Sequence, residues 1–216
     1  MGAGLAAFTP TRRAVVGEGP SDALLLPPLV RAAEGLPAYT TLGFQVAGGL
    51  AWACADGLPA LELEAGRVTY LVDSDDAGGG YIKRLKAAGV PMKRIIELKS
   101  GSTRDLAIED FVHPKIYAEA VNFLLEHQAK SDQQIRVAEL PDTGRSSAVS
   151  KWCKSKGLQA PSKAAVAQEV VRRAHETIAS GDVEDRTLRS VLIAPGRVKA
   201  MQAIHKAIRA GLELDG

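Results

Sequence analysis

Short apolar runs alternate with amphipathic segments along the first half of the chain, and this alternation predicts its fold class. Three short runs rich in apolar and β-branched residues have the length of buried strands, residues 14–18, 67–73 and 93–99, and a further strand lies near residues 39–49. Residues 20–34 have the apolar spacing of a helix, and residues 76–90 predict a loop and then an amphipathic helix that ends at Gly89. This order of elements favours an α/β fold with a mostly parallel sheet and helices on both faces.

The second half of the chain has a helical pattern. Residues 113–128 predict a helix, and residues 135–140 predict a short strand. The loop-like segment "LPDTGRSS" marks a boundary, so we predict one domain over residues 12–142 and a helical appendage over residues 143–216. Within this appendage a long helix begins at Pro161 or Ser162 and stops before Gly181.

Composition narrows the class of protein. The chain has 216 residues, of which 46% are hydrophobic and 24% are charged, as in ordinary globular proteins. No apolar run approaches the roughly 20 residues of a membrane helix, so we expect no membrane partner. Cys54 and Cys153 are far apart in sequence and indicate no disulfide framework, which fits a reducing cytoplasm.

Charge is distributed unevenly along the chain. Residues 1–142 hold 14 Lys/Arg against 18 Asp/Glu, a net charge of −4, whereas residues 143–216 hold 13 against 7, a net charge of +6. An acidic part joined to a basic part suits a metal site beside a phosphate-binding surface. The alternative is ordinary fluctuation of charge along a chain.

Acidic residues follow two of the predicted strands. Glu18 and Asp73 stand at strand ends, where parallel α/β sheets bind ligands. Asp75 lies two residues after Asp73 and points the same way in extended chain, and Asp22 falls in the first turn of the next helix. If the two strands are neighbours, the four carboxylates converge and repel one another unless cations lie among them. Such hard oxygen ligands suit Mg²⁺ or Mn²⁺.

Each of these acidic patterns has another interpretation when taken alone. Asp22 would complement the dipole of a helix at its N-terminus. An Asp-Ser-Asp sequence after a strand also occurs in phosphatases that use the first Asp, here Asp73, as nucleophile. Both patterns in this order, each after a buried strand and with Gly78 three residues past Asp75, are more specific than either one.

The segments "GEGPSD" and "DSDDAG" resemble the two signatures of the Toprim domain, a Rossmann-like α/β fold, over roughly residues 12–112. Within that domain class the chain is most similar to the OLD (overcoming lysogenization defect) family of nucleases, in "GEGPSDALLLPPLV" and in "IEDF", residues 108–111. A following helical region that carries a lysine is also a feature of that family. No Cys/His zinc module of a bacterial primase and no tyrosine-bearing topoisomerase domain accompany these motifs.

The resemblance implies a DNA endonuclease that cleaves phosphodiester bonds with two Mg²⁺ or Mn²⁺ ions. The residues that match the motif acids, and would bind the ions, are Glu18, Asp22, Asp73 and Asp75. Asp73 is the candidate for bridging the ions, and with Glu18 and Asp75 it belongs to the implied catalytic set. Glu109 and Asp110 would complete the shell of the second ion, or else form an acid pair at a helix N-terminus.

The resemblance also implies residues that contact phosphate. Lys163, at the start of "KAAVAQEVV", is the best match to the catalytic lysine of the family, with Lys151, Lys154 and Lys156 as competitors. A lysine there would neutralise negative charge in the transition state. Further candidates for phosphate or DNA contact are Ser74, Gly78, Arg172 and Arg173, although Ser74 also suits a tight loop as a small residue.

Partners follow from the same resemblance. OLD proteins resemble ABC-type ATPases at their N-terminus, and this chain has no G-x-x-x-x-G-K-[ST] loop. We therefore expect a nuclease fragment or stand-alone relative in which ATP acts only through an ATPase region absent from this chain. DNA, an accessory helicase and a role in phage defence are the further expectations.

Two other functions stay open from the sequence. A non-catalytic Toprim module that binds DNA or partners as a scaffold has no need for four clustered acids. A phosphatase-like hydrolase with Asp73 as nucleophile leaves Glu18 and Asp22 without a role.

Overall fold

A four-stranded parallel sheet organises the protein. The computed structural model describes residues 13–50, 67–101, 105–180 and 188–214. The strands are β1 (Arg13–Gly17), β2 (Gln45–Gly48), β3 (Arg67–Val72) and β4 (Ile95–Glu97). They pair in the order β2-β1-β3-β4, and every pairing is parallel. The predicted α/β class is confirmed, and β1 and β3 are direct neighbours.

Helices make up most of the rest of the described chain. They are α1 (Pro20–Glu34), α2 (Asp76–Ala87), α3 (Pro114–Gln128), α4 (Arg145–Ser155), α5 (Lys163–Ala179), α6 (Arg189–Leu192) and α7 (Val198–Gly211). Short 3-10 turns cover Met92–Arg94, Ile108–Phe111, Val137–Glu139 and Pro195–Arg197. Within the described ranges, every helix lacks either the length or the apolar composition needed to cross a membrane.

Alternating side chains of the strands build a core on each face of the sheet. Val15 and Leu71 belong to the larger core, which also takes in buried residues of the helices from α3 onward. Val16 and Tyr70 belong to the smaller core on the other side, where Leu85 of α2 packs. Helices therefore cover both faces, as the sequence predicts.

Two local predictions are wrong. The glycine-rich segment is helical from Asp76 onward and is not a loop, because the Asp75 side chain accepts the N–H of Gly78 at 2.8 Å and caps α2. The strand predicted over residues 135–140 is a 3-10 turn, closed where Glu139 Oε2 accepts the N–H of Arg136 at 2.8 Å. In both places a carboxylate accepts a backbone N–H three residues away and so favours a helical turn.

The C-terminal helices share the core of the sheet. Helix α5 packs against α1 and α3, and α7 packs against α1 and the edge formed by β3 and β4. Val166, Val170 and Ile208 are buried in the same core as β1. The predicted boundary between residues 142 and 143 stays a prediction about domain organisation, but the helices beyond it pack directly on those before it.

Gly78 packs so closely against the backbone at the end of β3 that a larger residue does not fit there. A Cβ at Gly78 would lie 1.9 Å from the carbonyl oxygen of Asp73, so Gly78→Ala must displace the backbone of one of them. We expect it to lower the free energy of unfolding by about 1–3 kcal/mol, the usual cost of overpacking. Urea unfolding of the metal-free protein measures this loss.

Gly79→Ala in the same helix is the matched control. No atom lies within 4 Å of a Cβ at Gly79, so we expect that substitution to be stabilising by up to about 1 kcal/mol, the difference in helix propensity. Equal effects of the two substitutions would contradict the packing assigned to Gly78.

Candidate active site

A pocket of about 190 Å³ lies where β1 and β3 end, and four acidic side chains line it. These side chains are Glu18, Asp22, Asp73 and Glu109, and Lys163 supplies a positive charge. Because β1 and β3 are adjacent and parallel, their carboxyl ends meet at one edge of the sheet. The convergence expected for the strand-end acids Glu18, Asp22 and Asp73 is therefore present.

The turn between β1 and α1 fixes Glu18 and Asp22. Asp22 Oδ2 accepts the N–H of Gly19 at 2.8 Å, which closes the first turn of α1. A Cβ at Gly17 would lie 2.4 Å from Cβ of Asp22, so a glycine is needed for Asp22 to pack here. Asp22 thus stabilises a helix N-terminus and also lines the pocket, and its binding of a metal ion stays a prediction.

Asp73 and Glu18 are joined across the two strand ends. The N–H of Asp73 donates to Glu18 Oε1 at 2.9 Å, and the Asp73 side chain is buried. Asp75 is exposed, and its Oδ1 accepts the N–H of Gly78. Its charge nevertheless contributes to raising the pKa of Glu18, so Asp75 lies close to the pocket without lining it.

Glu109 and Lys163 face each other in the pocket. Glu109 is 1% exposed, and its Oε1 has no hydrogen-bond partner among the described residues. The Lys163 Nζ lies 3.9 Å from this oxygen, beyond hydrogen-bonding range. Lys163 is held there because Ser162 caps α5, with its Oγ accepting the N–H of Ala165 at 3.1 Å.

Burial and mutual repulsion make the acids hard to ionise. Burial raises the pKa of Asp73 to about 9, and the charges of Asp22, Glu18 and Glu109 add to the effect. Burial likewise raises the pKa of Asp22 to about 7, with Glu109 and Glu18 contributing. The pKa of Glu18 is also raised, mainly by burial. The pocket therefore favours protons or other cations.

The pKa of Lys163 is also raised, but for an ammonium a raised pKa favours the charged form. Burial lowers the pKa of its ammonium, but the charges of Glu109, Asp73, Asp22 and Asp75 outweigh burial, and the net pKa is raised. Lys163 therefore stays charged, yet one ammonium does not balance the acids, since the pKa values of Asp73 and Asp22 remain high.

The pocket has the donor chemistry of a hard-cation site. All its acidic ligands are carboxylate oxygens, which Mg²⁺ and Mn²⁺ prefer, and Glu109 Oε1 is a buried acceptor without a donor. Across the described ranges, no three His, Cys, Asp or Glu side chains are arranged to hold an ion together. The donor set fits the predicted ions, whereas a closed coordination shell is not formed.

Asp110 and Glu109 are neighbours in the 3-10 turn Ile108–Phe111, but of these two acids only Glu109 lines the pocket. The Oδ2 of Asp110 accepts the N–H groups of Ala107 and Gly144, each at 3.0 Å, and its Oδ1 accepts the N–H of Arg145 at 3.0 Å. The carboxylate is buried and does not line the pocket. For Asp110 the structure favours the second of the two interpretations left open by the sequence, an acid that caps the start of a helical turn, over the metal ligand that the resemblance implies.

Ser74 and Gly78 support the end of β3. Ser74 Oγ accepts the N–H of Leu106 at 2.8 Å, and the N–H of Ser74 donates to the carbonyl of Leu106 at 3.0 Å. These bonds tie β3 to the segment that carries Glu109. Neither Ser74 nor Gly78 lines the pocket, and their contacts with phosphate stay predictions.

Arg172 and Arg173 lie on α5 away from the pocket. They follow Lys163 by nine and ten residues, which is about 13–15 Å along a helix. Arg172 Nη2 and Arg173 Nε donate to Glu169 Oε1 at 2.6 Å and 2.7 Å, and both guanidinium groups stack near the ring of Phe123. Their charge is therefore shared with an acid, and their contact with DNA stays a prediction.

Two arginines near the site were missed by the sequence patterns. Arg145 is buried and donates to the carbonyl oxygens of Glu109 and Val112, but an arginine in a Ser-rich loop has the pattern of a surface residue. The charge of Arg84 lowers the pKa of Glu18, against the larger effect of burial. Arg84 lies in the last turn of α2, and the sequence pattern gives no signal that places it near Glu18.

The raised pKa values predict that the metal-free protein loses stability as pH rises. The folded state binds the proton of Asp73 more tightly than the unfolded state does, with a pKa of about 9 against 3.8. The stabilisation is complete below pH 3.8 and is lost as pH rises through about 9. Asp73→Asn imitates the protonated acid, so we expect a flatter profile and a melting temperature several degrees higher at alkaline pH.

Thermal unfolding in chelator across this pH range measures the effect. Asp76→Asn is the control, because Asp76 is exposed and does not line the pocket. Equal pH profiles for the wild type and Asp73→Asn would contradict the electrostatics assigned to Asp73.

Comparison with known proteins gives one structural likeness. No protein-family model and no curated protein matches the chain. Among solved structures, the C-terminal region of the OLD protein of Xanthomonas campestris pv. campestris aligns over 97% of this chain and 99% of that one, with 14% sequence identity and a TM-score of 0.40. At this identity and TM-score the likeness carries no inference about function, and the function proposed below rests on the chain's own residues.

Proposed function

We propose that the protein is a Mg²⁺- or Mn²⁺-dependent endonuclease that hydrolyses phosphodiester bonds in DNA, as the nuclease part of an OLD-like protein. The observation that carries the proposal is the acidic pocket at the carboxyl edge of β1 and β3. Four carboxylates line it, one of them has a buried oxygen that accepts no hydrogen bond among the described residues, and Lys163 lies beside them. The two Toprim-like motifs supply three of these acids and Asp75.

The residues divide into those that bind ions and one that contacts the substrate. Glu18, Asp22, Asp73, Asp75 and Glu109 are the residues that would hold the ions, with Asp73 as the central candidate. Bound ions of this kind supply an activated water and stabilise the leaving oxygen. Because Asp73 has a pKa of about 9 without metal, its proton must leave before its carboxylate can bind ions.

Lys163 is the residue we assign to the negative charge of the phosphate. The Lys163 side chain is 54% exposed and its Nζ lies 3.9 Å from Glu109 Oε1, so it can reach a substrate while it stays near the acids. A positive charge fixed in advance stabilises a transition state without the cost of reorganisation.

A non-catalytic DNA-binding module is the second candidate. It is favoured by the absence, among the described residues, of three acids arranged to hold one ion. The two functions differ in outcome, since such a module binds DNA and leaves it intact. The OLD resemblance extends the first proposal to an N-terminal ATPase region, an accessory helicase and a place in the cytoplasm.

Metal-dependent cleavage of plasmid DNA is the direct test. We expect nicked and linear products with Mg²⁺ or Mn²⁺ and none in chelator, because the acids need ions to act on phosphate. Asp73→Ala should abolish detectable cleavage, whereas Asp76→Ala, outside the pocket, should cut at the wild-type rate. Cleavage that persists in chelator would exclude the metal mechanism, and binding without cleavage would favour the module.

Substitution of Lys163 should change the rate of cleavage, whereas substitution of the arginines of α5 should change the affinity for DNA. A group that acts in the transition state affects turnover more than binding, so Lys163→Ala should lower the single-turnover rate roughly 10²-fold and bind DNA nearly normally. Arg172→Ala with Arg173→Ala should instead weaken binding and flatten its salt dependence, if those arginines contact phosphate.

Titrations at several salt concentrations beside single-turnover rates separate the two effects. Lys206→Ala is the control, an exposed lysine of α7 that does not line the pocket. A wild-type rate for Lys163→Ala would remove its catalytic assignment and direct attention to Lys151, Lys154 and Lys156. An unchanged salt slope for the double arginine variant would show that Glu169 already occupies those side chains.

A further inference from the structure

Hydrogen bonds of two side chains join the turn Ile108–Phe111 to the start of α4. Asp110 of the turn accepts from α4 and Arg145 of α4 donates to the turn, and we call these contacts the Asp110–Arg145 clamp. The carboxylate of Asp110 accepts three backbone N–H groups, two of them from Gly144 and Arg145. In return, Arg145 Nη1 donates to the carbonyl oxygens of Val112 and Glu109, the latter at 3.4 Å. Both side chains are at most 3% exposed, so water does not compete for these bonds.

The clamp determines where Glu109 points. A 3-10 turn has about three residues per turn, so consecutive side chains project about 120° apart. With Asp110 directed at α4, Glu109 is directed into the acidic pocket. The bonds between Ser74 and Leu106 hold the preceding residues, so the turn is fixed on both sides of Glu109.

Glu109 would not keep this position without support. A buried polar atom without a hydrogen bond costs about 1–3 kcal/mol, and Glu109 Oε1 accepts none in the described structure, since the Lys163 Nζ lies 3.9 Å away. Glu109 also shares the pocket with the carboxylates of Glu18, Asp22 and Asp73, and like charges this close repel one another. A free turn would relieve both costs by rotating Glu109 toward solvent.

We propose that Asp110 and Arg145 are positioning residues that hold Glu109 in the pocket as a preformed cation ligand. This inference deepens the proposed function and rests on it, because Glu109 needs a fixed direction only if the pocket binds cations. It gives the two adjacent acids of the "IEDF" segment separate tasks: Glu109 faces the ion, and Asp110 orients Glu109.

Mn²⁺ affinity, measured by calorimetry on the whole chain, tests the clamp. Asp110→Asn keeps one acceptor oxygen and loses the other, so we expect Mn²⁺ binding to weaken about 10–100-fold, the usual effect of losing an outer-shell partner. Glu139→Gln is the matched control, because Glu139 closes the surface turn Val137–Glu139 in the same way and does not line the pocket. It should leave Mn²⁺ affinity unchanged.

A double variant shows whether Asp110 acts through Glu109. If it does, Glu109→Gln combined with Asp110→Asn should bind Mn²⁺ about as weakly as Glu109→Gln alone, because the clamp has no ligand left to position. Losses that multiply, or wild-type affinity for Asp110→Asn, would overturn the clamp and leave the proposed function standing.

Amide hydrogen exchange of residues 105–112 in the metal-free protein is independent of the proposed function. Asp110→Asn should accelerate exchange there, and Glu139→Gln should not. Unchanged exchange overturns the clamp whether or not ions bind, whereas a wild type that binds no Mn²⁺ overturns the proposed function. If Asp110→Asn does not fold, Arg145→Lys replaces it in both measurements, since it keeps the charge and loses the guanidinium fork.

Discussion

Repulsion among buried carboxylates is the constraint on which the site depends. Glu18 and Asp73 are brought together because β1 and β3 pair in parallel and both end at the same edge. Removal from water and mutual repulsion oppose this arrangement, as the raised pKa values of Asp73 and Asp22 record. The sheet therefore holds charges together that would separate in a flexible chain, and a bound cation would recover that free energy.

Backbone N–H groups are the means by which the fold holds these acids. Glu18 accepts the N–H of Asp73, Asp22 that of Gly19 and Asp75 that of Gly78. Each bond uses one carboxylate oxygen and leaves the other available, so the same side chain can fix a turn and face a ligand. Glu109 lacks such a bond in the described structure, and its turn is held instead through Asp110.

The sequence predicts those features that depend on periodicity and strand ends. The parallel sheet, the bounds of α1 and the convergence of Glu18, Asp22 and Asp73 all follow from runs of apolar residues with acids behind them. The early start of α2 and the role of Asp110 depend on hydrogen bonds from backbone N–H groups to one carboxylate in each case, which no periodic pattern encodes. The surplus of basic residues likewise does not reveal that Glu169 pairs with Arg172 and Arg173.

Lys163 shows why the acids and the C-terminal helices form one site. The acids come from the sheet and the following turn, whereas the ammonium that balances part of their charge comes from α5, beyond the predicted domain boundary. Helix α5 is held there by its packing against α1 and α3, and α1 itself begins at the turn that carries Asp22. A shift of α5 relative to α1 would therefore move Lys163 relative to the acids, and the electrostatic balance of the pocket depends on the packing of the core.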